Sequence, residues 1–168
     1  MDMVPGRTPS LVGERLDDVV VVRSMTKVLG VPGLRVGYAV ASPPLADRLR
    51  AARPPWSANA LALAALEAAC DRPAELAAIG ERVAAERDDL AERLGAIDGV
   101  RTWPSVANFC LIEVDDGERV AARLRAEGIA VRPAASFPGL DGRHVRVTAR
   151  DAAANARLAA ALAEAVAR

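Results

Sequence analysis

Lys27 stands among residues that could do chemistry on an anionic aldehyde. Two hydroxyl side chains, those of Ser24 and Thr26, come before it, and the guanidinium of Arg35 follows in the next loop. Hydroxyl groups donate hydrogen bonds to phosphate, and a planar guanidinium can bind a phosphate through two parallel hydrogen bonds. A lysine amine that has lost its proton condenses with an aldehyde. The spacing therefore indicates a site for a phosphorylated aldehyde, with Lys27 as the nucleophile.

The loop after this lysine supports the chemical interpretation. Its glycines, which permit positive φ angles or close backbone approach, are Gly30, Gly33 and Gly37. The amine of Lys27 needs desolvation or a nearby cation such as Arg35 to release its proton. A lysine between a strand and a glycine-bearing loop is also commonly just solvated, and short motifs match by chance. If the motif is functional, pyridoxal 5'-phosphate is the compound that it fits.

Hydrophobic patterns predict the elements around the loop. Residues 19–22 are consecutive valines, which predicts a strand buried on both faces, as in a parallel sheet covered by helices. The lysine would then follow the carboxyl end of that strand, where open sheets bind ligands. A second strand is predicted over residues 36–41, and Ser42, which precedes two prolines, is predicted to begin a helix.

Two further helices are predicted in the middle of the chain. Residues 57–70 are almost wholly apolar, which predicts a helix buried on every side. Cys70 at its end and Cys110 in a later apolar run are interpreted as small buried hydrophobes, not as a disulfide or metal pair. An amphipathic helix is predicted from residue 74 to about residue 95, and its charges are interpreted as a solvated face.

The C-terminal part is predicted to form a small α+β domain. Its predicted strands cover residues 100–103, 109–114, 129–131 and 145–148, and its predicted helices cover residues 117–127 and 151–167. In the last strand, residues alternate, so Arg146 and His144 share the face opposite Val145 and Val147. An arginine in such a position is usually solvated.

The stretch from Ser24 to Tyr38 resembles the Schiff-base segment of fold-type I pyridoxal-phosphate enzymes. That segment reads S/T-x-S/T-K, a short spacer, then G-L-R-x-G-Y/F, and this chain matches it without a gap. The resemblance is to the branch of class I/II aminotransferases that contains histidinol-phosphate aminotransferases and the threonine-phosphate decarboxylases of cobalamin synthesis. It continues through residues 54–61, 107–109, 131–132 and 144–147.

The resemblance implies roles for the residues of the lysine segment. Lys27 is similar to the family's Schiff-base lysine. The expected ligands of the cofactor phosphate are Ser24, Thr26 and Arg35. The cofactor implied is pyridoxal 5'-phosphate, which supplies an electron sink.

Three C-terminal residues resemble the family's substrate contacts. Arg146 is similar to the arginine that pairs with the substrate α-carboxylate, which suits guanidinium geometry. Arg132 matches an arginine that meets the substrate's own phosphate. Asn108 lies in the family's A/S-N-F segment, close to the substrate, and its alternative interpretation is a polar cap at the start of a strand.

Other parts of the family's site are expected to precede this chain. The aspartate against the pyridine nitrogen, the stacking aromatic ring and an asparagine all come earlier in the family. Asp2 is the only acid before Glu14, and its terminal position predicts a solvated side chain. At 168 residues, the chain is too short for both complete domains. The expected organisation is α/β, with part of the large domain over 1–73, a linking helix over 74–98 and a complete small domain over 99–168.

The function implied is that of a pyridoxal-phosphate enzyme acting on a phosphorylated amino acid or amino alcohol. Residues 55–61 and 135–140 look more like threonine-phosphate decarboxylases, and a histidinol-phosphate aminotransferase is the alternative. A third possibility is a catalytically incomplete chain that needs an N-terminal partner chain. The family otherwise implies a homodimer, to which residues 57–70 would contribute, unless that helix is ordinary core.

Composition sets the remaining expectations. Hydrophobic residues make up 52% and charged residues 26%, which is typical of a globular protein. A formal net charge of +0 argues against nucleic acid or an acidic membrane surface as partner. A single histidine leaves no zinc motif, so no metal is expected. The N-terminus has neither a basic nor an apolar leader region and no run of about 20 apolar residues occurs, which predicts a cytoplasmic protein.

Overall fold

The computed structural model describes residues 10–14 and 16–167, and Asp2 lies outside them. The chain divides into two compact units, Met1–Gly80 and Glu81–Arg168. Both contain helices and antiparallel strands, which confirms the mixed α and β class predicted from the sequence. Within the described ranges, no helix is both long and apolar enough to cross a membrane.

The N-terminal unit is built around one pair of strands. In chain order its elements are a 3-10 helix (Leu11–Gly13), β1 (Val21–Ser24), β2 (Gly37–Val40), α1 (Pro43–Ala52) and α2 (Ala60–Cys70). Strands β1 and β2 pair antiparallel, with Ser24 opposite Gly37. The strand predicted over 36–41 and the helix predicted to begin at Ser42 are confirmed. Proline is tolerated in the first turn of a helix because a backbone N–H there would have no hydrogen-bond acceptor within the helix.

The parallel, doubly buried strand predicted over residues 19–22 is wrong for the residues that the structure describes. The strand is Val21–Ser24, its partner β2 runs antiparallel, and Val22 is 75% exposed. A parallel neighbour needs a crossover of a dozen or more residues, usually helical. The segment between β1 and β2 contains turns and no helix, so the chain returns antiparallel. A run of valines predicts a strand but does not choose its partner.

The prediction that residues 57–70 are buried on every side is also wrong. The helix is present as α2, but only Ala62 and Ala69 are buried, and Leu61 is 71% exposed. Cys70 is exposed, against the prediction, whereas Cys110 is buried as predicted. One side of α2 joins the unit's core through Ala62. An evenly apolar helix has no polar face to orient it, so its sequence could not predict which side would be covered.

The C-terminal unit contains a four-stranded sheet and two helices, and it shares a third helix with the first unit. Helix α3 (Pro73–Gly95) leads into it, followed by β3 (Arg101–Thr102), β4 (Phe109–Glu113), α4 (Gly117–Ala126), β5 (Arg132–Pro133), β6 (His144–Thr148) and α5 (Ala152–Ala167). The strand order is β3-β4-β6-β5, antiparallel throughout. The other predicted elements of this unit occur, but the strand predicted over 129–131 is wrong, because the strand in this region is β5, which begins at Arg132 and pairs with β6. The domain limits 1–73, 74–98 and 99–168 stay a prediction.

One face of this sheet packs into a hydrophobic core. Cys110 and Ile112 of β4 and Val145 and Val147 of β6 are fully or almost fully buried there, with apolar residues of α3, α4 and α5. Alternation along β6 places Arg146 on the opposite face, as the sequence predicts. The sheet thus has a covered face that stabilises it and an open face that carries functional candidates.

Candidate functional site

The loop that carries Lys27 is closed by its own backbone. The amide of Met25 donates to the carbonyl of Val36 at 3.0 Å, which continues the β1–β2 ladder, and the amide of Val31 donates to the carbonyl of Thr26 at 3.1 Å. Met25 and Val36 are buried in the unit's core. The side chain of Lys27 is exposed. Both ends of the loop are therefore anchored by buried apolar side chains, whereas the side chain of Lys27 is exposed.

Lys27 is the only lysine in the chain. The other basic side chains are arginines, apart from a single histidine. Within the described part of the chain, Lys27 forms no hydrogen bond or ion pair. The sequence therefore contains a second signal besides the motif: the one lysine side chain of the chain lies within the motif, and the other basic side chains are guanidinium groups, apart from the single histidine.

Ser24 and Thr26 form a hydroxyl pair beside the lysine. Their oxygen atoms are 3.0 Å apart, with Thr26 buried and Ser24 exposed. In such a pair one hydroxyl donates to the other, so the second keeps a hydrogen that can be donated to a ligand. The structure thus brings together two of the residues that the sequence assigned to phosphate binding.

Arg35 lies on the same loop in an unusual backbone conformation. Its φ angle is +52°, in the left-handed region that residues other than glycine seldom adopt. Its side chain is exposed and has no carboxylate partner among the residues described. Two residues later, a Cβ on Gly37 would lie 2.4 Å from the carbonyl oxygen of Arg23, so only glycine fits there. The loop therefore holds an unpaired guanidinium on a constrained backbone.

Asn59 contacts this loop and was not predicted as a site residue. Its Oδ1 accepts a hydrogen bond from the amide of Ala62 at 2.8 Å, which caps α2, and its Nδ2 donates to the carbonyl of Leu34 at 3.3 Å. An asparagine before an apolar helix is a recognisable N-cap signal. The contact with Leu34 has no sequence signal, because it joins segments 25 residues apart.

Arg132 and Arg146 face each other across β5 and β6 on the open face of the C-terminal sheet. They are directly opposite in register. The Arg132 guanidinium carbon lies 5.4 Å from the ring centre of Phe137, and that of Arg146 lies 5.0 Å from the ring centre of Phe109. No carboxylate in the described ranges pairs with either arginine. Like charges opposite each other are destabilising, so this pair favours a bound anion. Sequence reasoning missed both aromatic rings.

Asn108 lies directly before β4 and is half-buried. The side chain that caps this strand is Ser105, whose hydroxyl donates to the carbonyl of Phe109 at 2.6 Å and accepts from the amide of Ala107 at 3.1 Å. The Asn108 side chain forms no hydrogen bond within the described part of the chain. Ser105, and not Asn108, therefore caps the start of β4. The side-chain amide of Asn108 is available to a ligand.

A second charged cluster in this unit is internally neutralised. The pKa of Asp141 is lowered to about 2, chiefly by the hydrogen bond from the Arg143 amide and then by the contact with His144. Hydrogen bonding to Asp141 raises the pKa of Arg143, whose guanidinium also binds Glu113 at 2.6 Å. Arg101 approaches Glu113 at 3.5 Å. These charges satisfy one another, unlike Arg132 and Arg146.

The predicted site residues thus fall into two groups, each within its own unit. Ser24, Thr26, Lys27 and Arg35 lie on or beside the lysine loop, and Asn108, Arg132 and Arg146 lie on or beside the C-terminal sheet. Each group combines unpaired cations with neutral hydrogen-bonding groups. Both are suited to binding anions.

Known proteins resemble this chain along nearly its whole length. Residues 1–162 match the family model described as aminotransferase class I and II. A histidinol-phosphate aminotransferase of Mycobacterium tuberculosis is 38% identical over 151 residues, which are 89% of this chain and 41% of that protein. A threonine-phosphate decarboxylase of Salmonella typhimurium is 38% identical over 144 residues, 84% of this chain and 40% of that protein.

Solved structures resemble it as well. The crystal structure of L-threonine-O-3-phosphate decarboxylase from Porphyromonas gingivalis matches with a TM-score of 0.89 at 27% identity, covering 99% of this chain and 53% of that one. The chain spans about 40% of the length of the two curated relatives.

Proposed function

Since this chain belongs to the class I and II aminotransferase family, we propose that it is the part of a pyridoxal 5'-phosphate enzyme that bears the catalytic lysine. The proposed substrate is a phosphorylated amino compound. Threonine phosphate, which would be decarboxylated, is the first choice, and histidinol phosphate, which would be transaminated, is the second. The observation that carries the proposal is the single lysine of the chain, exposed beside a hydroxyl pair on a loop that also holds an unpaired guanidinium.

The lysine loop fits the phosphate and aldehyde groups of this cofactor. Thr26 and Ser24 offer at least one free hydroxyl hydrogen, and Arg35 offers a guanidinium with no competing carboxylate in the described residues. These three groups would hold the phosphate. The Lys27 amine would hold the cofactor through its aldehyde group, with loss of water, and would move a proton at the substrate Cα. When bound, the cofactor supplies an electron sink for the bond that breaks.

The paired arginines fit a substrate that carries two anionic groups, as threonine phosphate does and histidinol phosphate, which has a phosphate but no carboxylate, does not. Cβ atoms of directly opposed residues in antiparallel strands lie roughly 4.5–5.5 Å apart, which allows one substrate to meet both guanidinium groups. Arg146, half-buried above Phe109, would bind the carboxylate, and Arg132, exposed on the end strand of the sheet, would bind the phosphate. The Asn108 amide would donate to the substrate or accept from it. A dianionic substrate would also relieve the repulsion between the two arginines.

The two reactions differ in which bond at Cα is aligned for breaking. In the decarboxylase, the site would align the bond from Cα to the carboxylate for breaking, carbon dioxide would leave, and Cα would take up a proton in its place. In the aminotransferase, the site would align the Cα–H bond, Lys27 Nζ would take that proton, and the amino group would pass by way of the cofactor to a 2-oxo acid. Residues 55–61 and 135–140 resemble the decarboxylase branch, which favours the first outcome. The comparisons with known proteins support both reactions about equally.

Borohydride trapping tests the proposal directly. Pyridoxal 5'-phosphate is added to the purified chain, the adduct is reduced, and the added mass is located by peptide mapping. We expect one label per chain, on Lys27, because the only other amine is at the N-terminus. The matched control is Lys27→Arg, which keeps the positive charge and should lose that label. Equal labelling of the N-terminus and Lys27 would contradict a formed site.

Product analysis separates the candidate functions. Carbon dioxide released from phosphothreonine supports the decarboxylase, and transfer of the amino group from histidinol phosphate to an added 2-oxo acid supports the aminotransferase. Labelling of Lys27 without either product would favour the third candidate, a catalytically incomplete chain that needs an N-terminal partner chain. Adding back such a chain, built to the length of the relatives, should then restore one of the two products.

A further inference from the structure

The backbone of Arg35 needs support that its own sequence does not provide. Its φ angle of +52° is unfavourable for a residue with a side chain, and such conformations persist only where the surroundings determine them. The φ angle describes rotation about the bond between the Arg35 nitrogen and Cα. It is therefore set by the orientation of the peptide group that joins Leu34 to Arg35, which is planar.

Hydrogen bonds restrain both sides of Arg35. On the C-terminal side, the carbonyl of Val36 accepts from the amide of Met25 at 3.0 Å, and Val36 is buried. On the N-terminal side, the amide of Leu34 donates to the carbonyl of Val31 at 3.1 Å. The carbonyl of Leu34, which shares its peptide plane with the Arg35 nitrogen, accepts from Nδ2 of Asn59 at 3.3 Å.

Asn59 is suited to this task because it uses both ends of its amide. Its Oδ1 is occupied by the amide of Ala62 at 2.8 Å, and Ala62 is buried in the same core as Met25 and Val36. The helix cap therefore fixes which way the amide points and leaves Nδ2 facing Leu34. Serine and aspartate also cap helices, but an ionised aspartate has no donor, and the shorter serine carries its one O–H on the capping oxygen itself, so neither presents a separate NH₂ donor to the Leu34 carbonyl.

We propose that Asn59 is a positioning residue for Arg35: by holding the Leu34 carbonyl from the capped start of α2, it maintains the left-handed backbone that presents the Arg35 guanidinium to a phosphate. This inference rests on the proposed function, in which Arg35 binds the phosphate of the cofactor. It assigns to Asn59 an effect on phosphate recognition that a helix cap alone would not have.

The test compares pyridoxal 5'-phosphate with pyridoxal, which lacks the phosphate, in binding titrations of the whole chain. The dissociation constant of pyridoxal divided by that of pyridoxal 5'-phosphate measures how much the phosphate contributes to binding. Asn59→Ser keeps a neutral cap and loses the NH₂ donor, and we expect it to reduce that ratio about tenfold, the loss of one charge-assisted contact. Asn59→Ala, which removes the cap as well, should also lower the melting temperature.

A double-mutant cycle with Arg35→Ala separates positioning from other effects. If Asn59 acts through Arg35, then adding Asn59→Ser to Arg35→Ala leaves the ratio unchanged. An Asn59→Ser chain with the wild-type ratio, or an equal further loss in the Arg35→Ala background, would overturn the inference and leave the proposed function intact. A wild-type chain that binds the two compounds equally would overturn both.

Proton exchange in the unmutated chain gives a second test that no folding defect can obscure. The side-chain amide protons of Asn59 should exchange more slowly with solvent than those of Asn108, whose side chain has no hydrogen bond among the described residues. Equal exchange rates for the two side chains would mean that the contact with Leu34 is absent in solution, and the inference would fail.

Discussion

The two units of this chain support their predicted site residues very differently. In the C-terminal unit, fourteen described residues form a buried cluster under a four-stranded sheet, and Arg132 and Arg146 lie on the other face of that sheet. In the N-terminal unit the buried cluster has four described members, which belong to the lysine loop and α2 and not to the two-stranded sheet, and Val22 of β1 is 75% exposed. An isolated pair of strands is marginal in water, whereas three or more strands with an apolar face can be stable.

The two units therefore use different interactions to position cationic side chains that could bind an anion. The C-terminal arginines are fixed by strand register and by aromatic rings beneath them. The lysine loop depends on individual hydrogen bonds, on a glycine with no room for a side chain and on a capping asparagine. We therefore expect substitutions in the two units to fail in different ways, through loss of packing in one and loss of loop geometry in the other.

Ile112→Ala and Met25→Ala test this contrast with the largest expected effect. Ile112 is fully buried in the larger core, and its truncation should destabilise the C-terminal unit by roughly 2–5 kcal/mol. Met25 is 5% exposed in the smaller cluster, where neighbours can move into the space, so the loss should be at the low end, about 2 kcal/mol. Denaturant titrations with residue-resolved amide exchange would measure both. Equal losses would contradict the comparison.

Much of the C-terminal unit could be predicted because its sequence alternates consistently with one buried face. The alternation placed Arg146 opposite Val145 and Val147, and the structure has the same arrangement. Strand partners were harder to predict, since the valines at 19–22 carry no information on whether their neighbour runs parallel or antiparallel. The prediction that α2 is buried on every side was wrong for a related reason, because its evenly apolar sequence does not show which side will be covered.

The candidate site shows the same limit at the level of side chains. The lysine segment was recognisable as a local pattern, and its hydroxyl pair is formed within three residues, from Ser24 to Thr26. The contact of Asn59 with Leu34 and the ring of Phe137 beside Arg132 depend on tertiary packing, which no short motif encodes. For Asn108 the sequence left a substrate contact and a capping role open, and the capping role belongs to Ser105, so the substrate contact stays a prediction.

Gly37→Ala sharpens the comparison within the N-terminal unit. The added Cβ would meet the carbonyl oxygen of Arg23 at 2.4 Å, and a backbone atom cannot move aside without disturbing β1. We expect a loss of about 1–3 kcal/mol in the stability of the strand pair, together with weaker labelling of Lys27. Gly33→Ala is the matched control, because nothing lies within 4 Å of its Cβ position. Exchange rates of the β1 amides would report the difference, and equal behaviour of the two variants would refute it.

Phe137→Leu tests whether the ring beside Arg132 aids anion binding in the C-terminal unit. Cation–π contacts at exposed sites contribute about 0.5–1 kcal/mol, so inorganic phosphate should bind roughly twofold to fivefold more weakly. Phe137→Tyr retains an aromatic face and should bind phosphate like the wild type. Phosphate titrations followed by the amide signals of β5 and β6 would measure the effect. Equal affinities in the Leu and Tyr variants would mean that the ring does not contribute.

Asp141→Asn has the smallest expected effect and probes the neutralised cluster of the C-terminal unit. The folded state lowers the pKa of Asp141 from 3.8 to about 2, chiefly through the hydrogen bond from the Arg143 amide. Between these two values the unfolded chain binds a proton that the folded chain does not, so the stabilisation is complete above pH 3.8 and disappears as the pH falls towards 2. The stability difference between wild type and Asp141→Asn should therefore shrink from pH 5 to pH 2. Because the leading cause is a direct hydrogen bond from a backbone amide, 1 M salt should leave most of the pH dependence in place. A difference that stays constant across this pH range would show that Asp141 titrates alike in the folded and unfolded chains.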